Sequence, residues 1–191
     1  MNRTIISQRI SSILGDIQRL TNALYAMNTT DIQRYPDNYE VLSTDAALRA
    51  EGVACRLRHL IYSSTTIQKT EYLVSAATMQ GIGVRGEDGI VEITLPCLLP
   101  KRKQWKSAEY LLEPLYAALE QYTKSHVIPR FEHCTVCFFH EYREDSPERR
   151  VRDYDNLEIK QILDVAAAFL MVDDGGLFCD AYHTTEIGDT D

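Results

Sequence analysis

The sequence predicts an α+β fold, a small mixed sheet with packed helices preceded by an N-terminal helical hairpin or three-helix unit. Three observations predict it. Apolar residues recur at steps of three and four through much of residues 5–79, short alternating β-rich runs separated by helical stripes follow from residue 90, and a glycine-punctuated polar segment lies between the two regions.

In the first region Ile6, Ile10, Ile13, Leu14, Ile17, Leu20 and Leu24 form the stripe of an amphipathic helix over Ile5 to Met27, one face of which must pack on something. Loop chemistry at residues 28–38, including Tyr35-Pro36-Asp37-Asn38, separates it from a second helix over Tyr39 to Tyr62. A third, short helix is expected over Thr70 to Met79. Residues 1–80 therefore read as a helical unit. Its nine basic and nine acidic residues through residue 89 cancel, and no acid, base or metal cluster stands out, so packing or self-association is its expected work.

Gly81, Gly83, Gly86 and Gly89 mark residues 81–89 as a linker. A phosphate-loop reading fails there, because no strand precedes the glycines and no Lys-Ser or Lys-Thr follows. Residues 90–191 then form the α+β domain. A β-branched strand over Ile90 to Leu95 ends at Pro96 and Pro100, and a basic knot of Lys101, Arg102, Lys103 and Lys106 leads to a helix from Ser107 to about His126 that contains Pro114. Phe131 to Tyr142 is a second strand. A basic run of Arg149, Arg150 and Arg152 reaches a last helix over Asn156 to Leu170, capped by Asp155 or Asn156, and Leu177 to Thr185 is a final strand.

Composition bounds the function. At 191 residues, 45% apolar and 25% charged, the chain can bury a core, and no apolar run approaches the roughly 18 residues of a spanning helix. The scattered, odd set of five cysteines and the polar N-terminus without a signal core lead to reduced thiols and a cytoplasmic location as expectations. A net charge of −8 is unusual for a nucleic-acid binder, yet the whole excess lies after residue 89, where eleven basic residues face nineteen acidic ones. Either this is a solvated acidic surface, or some carboxylates converge on a cation.

Two clusters could carry chemistry. Cys134 and Cys137, between His133 and His140, have zinc-like spacing, but residues three apart on a strand point to opposite faces, which favours buried thiols. The acidic cluster is sharper. Asp153 and Asp155, two apart, project to one side of an extended segment, and Asp173 and Asp174 follow the last helix in a turn ending Gly175-Gly176. A site of three or four aspartates suits Mg²⁺ or Mn²⁺, and such a site serves phosphodiester cleavage. The plainer reading makes Asp153 or Asp155 a helix cap and Asp173-Asp174 a turn. Lys101, Arg102, Lys103, Lys106, Arg149, Arg150 and Arg152 would hold DNA phosphates beside the carboxylates, or are ordinary solvated charge.

Ile93-Thr94-Leu95-Pro96, a helix, an apolar strand, a basic run, Arg152-Asp153-Tyr154-Asp155-Asn156-Leu157, Lys160 and Asp164 in a helix, and Val172-Asp173-Asp174 together resemble the RusA-type Holliday-junction resolvases over residues 90–186. The resemblance implies an α+β fold, a homodimer, and Mg²⁺-dependent nicking of branched DNA in recombination and repair. It also implies an active site of Asp153, Asp155, Asp174 with Asp173 beside it, and Lys160. A reading from another class stands next to it, a non-catalytic RusA-like module that binds DNA or protein. Geometry sets one condition: a straight helix over residues 156–170 separates its ends by about 20 Å, so Asp155 and Asp174 share an ion only if the chain turns back sharply or a second subunit contributes.

Overall fold

The computed structural model describes residues 3–96, 105–143, 153–154 and 157–188, with the backbone alone for residues 105–108 and 143. The fold is mixed α+β, with α1 Arg3–Thr29, α2 Pro36–Ser64, α3 Lys69–Gln80, β1 Gly83–Glu87, β2 Ile90–Thr94, α4 Trp105–Ser125, β3 Cys134–Arg143, α5 Ile159–Leu170 and β4 Cys179–Gly188. Chain contacts divide it into two compact units, Met1–Tyr72 and Leu73–Asp191.

The first unit is the hairpin of α1 and α2. Pro36 in the first turn of α2 fits a position where a missing N–H costs nothing. Asp31 accepts from the Gln33 and Arg34 amides at 2.9 and 3.1 Å and so builds the connecting turn. Asp16 of α1 pairs with Arg56 of α2, and Arg56 also reaches Ser12 at 2.7 Å. The α1 stripe is wider than one partner can cover. Ile13 and Ala23 are buried, whereas Ile10, Leu14, Ile17 and Leu24 are exposed.

The second unit carries the main core. Leu111, Leu115 and Leu119 of α4 meet Ile162, Ala166 and Leu170 of α5, and Ala77 of α3 and Ile82 join them. This i, i+4 spacing on both helices is what brings the two stripes together. Leu115 and Leu119 have no exposed surface, and Pro114 lies inside the helix beside them. Residues 81–89, expected as a linker, hold strand β1 instead. It pairs antiparallel with β2, and the connecting residues Asp88 and Gly89 both have positive φ, the backbone that a tight hairpin turn requires. Gly86 is needed for a different reason, since a Cβ there would collide with the Tyr122 phenol of α4.

β3 and β4 form a separate two-stranded parallel sheet, in register from Cys134↔Cys179 to Arg143↔Gly188. Parallel strands need a crossover, and α5 supplies it. The strand expected over residues 131–142 begins at Cys134, with Phe131 making only an isolated bridge to Met171, and its side chains alternate. Val136, Phe138, His140 and Tyr142 turn inward, and Cys137, Phe139 and Glu141 face solvent. Among the described residues, no helix is long and apolar enough to cross a membrane.

Candidate active site

The last helix starts later than its sequence pattern predicts. α5 begins at Ile159, and its N-cap is Glu158 with no side-chain cap hydrogen bond; the expected caps Asp155 and Asn156 lie outside the described residues. Ahead of the helix the Leu157 amide donates to the Tyr154 carbonyl at 3.2 Å. Tyr154 and Leu157 thus meet through their backbones, and the expected extended segment that would project Asp153 and Asp155 to one side runs through residues 155 and 156, which lie outside the described residues. Leu157 and Tyr154 both have apolar surface to bury. Leu157 is 2% exposed within the core of the second unit, and Tyr154 packs against it.

At the other end of α5 the chain does reverse sharply. The Phe131 amide donates to the Leu170 carbonyl at 2.8 Å, and the Val172 amide donates to the Phe131 carbonyl at 3.0 Å, which clips the exit of the helix to the approach of β3. Asp173 then accepts the Gly175 amide at 2.6 Å, and the Gly175 carbonyl accepts the amides of Phe178 and Cys179 at 2.8 and 3.0 Å. Asp173 is therefore a turn-forming aspartate in the sense the plainer reading expected.

This reversal carries Asp174 back along α5 to the first turn of the helix. Its Oδ2 lies 3.6 Å from Lys160 Nζ, and Asp164 Oδ1 lies 2.7 Å from the same atom. Carboxylates from two elements thus converge on one point of positive charge. The hydrogen bond and charge of Asp164, followed by the charge of Asp174, hold the Lys160 ammonium above its ordinary pKa. Oxygen donors of this kind, hard and anionic, are those a divalent cation such as Mg²⁺ takes, and they fit such an ion in kind. Asp164 is absent from the residues singled out as a site in the sequence, although its i, i+4 spacing from Lys160 is the signal that pairs them.

Asp153 is exposed, and Asp155 lies outside the described residues. The same holds for Lys101, Arg102, Lys103, Arg149, Arg150 and Arg152, and for the side chain of Lys106. Among the described residues, no three His, Cys, Asp or Glu side chains are grouped to hold one ion.

Tyr154, the residue between Asp153 and Asp155, has an anchorage that the sequence did not announce. Its hydroxyl meets Thr185 Oγ1 at 2.6 Å, and its ring stacks on those of His183 and His140 at centroid distances of 4.7 and 5.1 Å. Phe138 also stacks against His183, at 5.1 Å. The register explains the cluster. Phe138 is opposite His183 and His140 is opposite Thr185, so all four share the inward face, and only their placement on separate strands kept the pattern out of sight. His140 Nε2 and His183 Nδ1 approach to 3.4 Å.

Burial, and for His140 also the neighbouring His183, pushes both imidazoles below their ordinary pKa. In the unfolded chain they take up protons near pH 6.5, before the folded chain does, so their contribution to stability is complete above that pH. It is lost as the pH falls through their folded values. The urea midpoint is accordingly expected to drop between pH 7 and pH 5, with a shallower drop in His140→Gln; an equal drop in that variant would remove His140 as a cause.

Neither a curated protein nor a solved structure matches the chain. A family model matches residues 2–191, and the chain therefore belongs to the family of unknown function DUF6100.

Proposed function

We propose that the protein is a metal-dependent, structure-specific endodeoxyribonuclease that nicks branched DNA, with Asp153, Asp155 and Asp174 holding Mg²⁺ or Mn²⁺. The observation that carries this reading is the 3.6 Å approach of Asp174 to Lys160. A separation of 14 residues along the chain becomes contact because the turn after Leu170 reverses, and that reversal is the condition for carboxylates from both ends of α5 to serve one ion. Bound there, the ion would neutralise charge on a scissile phosphate and make a coordinated water more acidic.

The chain's own residues have distinct tasks in this reading. Asp174 is fixed by the hydrogen-bonded turn of residues 173–179, Tyr154 pins the Asp153 segment to the β3–β4 sheet, and Lys160 offers a cation to the phosphate. Lys101, Arg102, Lys103, Lys106, Arg149, Arg150 and Arg152 would hold the flanking backbone of the DNA, with strongly salt-dependent affinity. A homodimer would present two such sites to one branch point.

A second reading has its own support. The 2.7 Å pairing of Lys160 with Asp164 gives the lysine a carboxylate partner within its own helix, which suits a non-catalytic module that binds DNA or protein. The experiment that separates the two is incubation of the full chain with a synthetic four-way junction at low salt, with Mg²⁺ or with chelator. Nicking that needs the metal supports the nuclease; retention of the junction without nicking supports the module.

A further inference from the structure

β3 and β4 open on a matched pair of thiols. Cys134 is the first residue of β3, Cys179 is the first of β4, and the parallel register sets them directly opposite each other. Neighbouring strands stand about 4.8 Å apart, inside the Cα separation of roughly 4.4–6.8 Å at which two cysteines can be bridged. Opposed residues of a ladder share a face, and, besides burial, the Cys134 thiol is near enough to raise the pKa of the Cys179 thiol. Both are free, and both line one open cleft of about 260 Å³ together with Phe178 and Asp180, so a small molecule can reach them.

The neighbouring Cys137 is differently placed. It lies opposite Tyr182 on the solvent face of the sheet, three residues along the strand from Cys134, and in that geometry the pair Cys134 and Cys137 cannot close without breaking the strand. The backbone ties the other pair to the acidic turn. Cys134 donates its amide to the Phe178 carbonyl at 3.0 Å, and Cys179 donates to the Gly175 carbonyl at 3.0 Å.

We propose that Cys134 and Cys179 form a cross-strand dithiol that closes to a disulfide when it meets a small-molecule disulfide oxidant, pinning the Asp173-Asp174 turn to the start of β3. One protein thiol, as its thiolate, attacks a sulfur of the oxidant, and half of the oxidant leaves and is protonated to a thiol. The second protein thiol, deprotonated in turn, displaces the other half from the mixed disulfide. The protein loses two electrons and two protons, and the oxidant gains both as two small thiols. In the resting state burial, followed by the adjacent Cys134, raises the Cys179 thiol above its ordinary pKa, in keeping with a reduced, protonated pair.

This proposal does not depend on the nuclease reading, and peptide mapping tests it. The full chain is treated with oxidised glutathione, its remaining thiols are alkylated, and the digest is analysed by mass spectrometry. The expected result is a Cys134–Cys179 linked peptide that has lost two hydrogens, that forms equally in Cys137→Ser, and that disappears on addition of dithiothreitol. Its absence from Cys179→Ser assigns the bond. Linkage of Cys134 or Cys179 to Cys55, Cys97 or Cys137 would overturn the proposal, as would recovery of both residues as free or singly glutathionylated thiols. Because the decisive peptide comes from the native chain, a folding defect in a variant leaves the result intact.

Discussion

Asp174→Asn is expected to slow Mg²⁺-dependent nicking of a four-way junction by about 100-fold or more, equivalent to roughly 2.7 kcal/mol of lost transition-state stabilisation. The substitution keeps the volume of the side chain and removes its charge, and with it a ligand that a hard cation needs. Folding should be almost untouched. Asp174 is half-buried, and the contact it loses is an ion pair with an exposed lysine that retains Asp164 at 2.7 Å. Pairs of this kind are worth about 0–1 kcal/mol. The check is the single-turnover nicking rate together with a thermal melt. An unchanged rate would detach the acidic turn from the chemistry, whereas a lost rate with an unchanged melt would assign Asp174 to it.

Leu119→Ala is expected to destabilise the protein by about 3–5 kcal/mol, the range for a fully buried leucine whose cavity cannot collapse. Leu119 has no exposed surface and sits in the layer between α4 and α5, with Leu115 one turn earlier. That layer supports α5, and α5 positions Lys160, Asp164 and, through its clipped exit, Asp174. Loss of the layer should therefore cost activity through folding rather than chemistry. Urea denaturation measures the effect, with Val127→Ala as the comparison: Val127 is fully exposed, and its truncation should lie within about 0.5 kcal/mol of native. A similar change in the two variants would refute the packing of α4 on α5 described above.

Periodicity made the long elements legible. The stripes that predict helices over Ile5–Met27, Tyr39–Tyr62 and Thr70–Met79 correspond to α1, α2 and α3, and each observed helix extends at least one residue past its apolar pattern because end residues need only helical backbone, not burial. β1 was hidden by its glycines. Gly83 and Gly86 look like loop residues in isolation, yet Gly86 is there to admit Tyr122, a contact that no local pattern records. The start of α5 was misplaced for a related reason. Asp155 and Asn156 are good caps by propensity, but Leu157 is buried in the core and Tyr154 is anchored to β4 ahead of the helix, which begins only at Ile159.

The candidate site divides the same way. Lys160 and Asp164 are readable as neighbours from their spacing, and Asp173 from its Asp-Asp-Gly-Gly turn chemistry. The meeting of Asp174 with Lys160 was not readable, since it depends on the hydrogen bonds that Phe131 makes to Leu170 and Val172. The His140, His183, Tyr154 and Thr185 group likewise exists only through strand register, a long-range property.

The measurement that bears most directly on the function is the four-way junction assay at low salt, extended to Asp155→Asn beside the native chain. The expected result is nicking by the native protein that requires Mg²⁺ or Mn²⁺ and is lost in the variant, with junction binding retained by both. Binding without nicking by the native chain, under either metal, would contradict it.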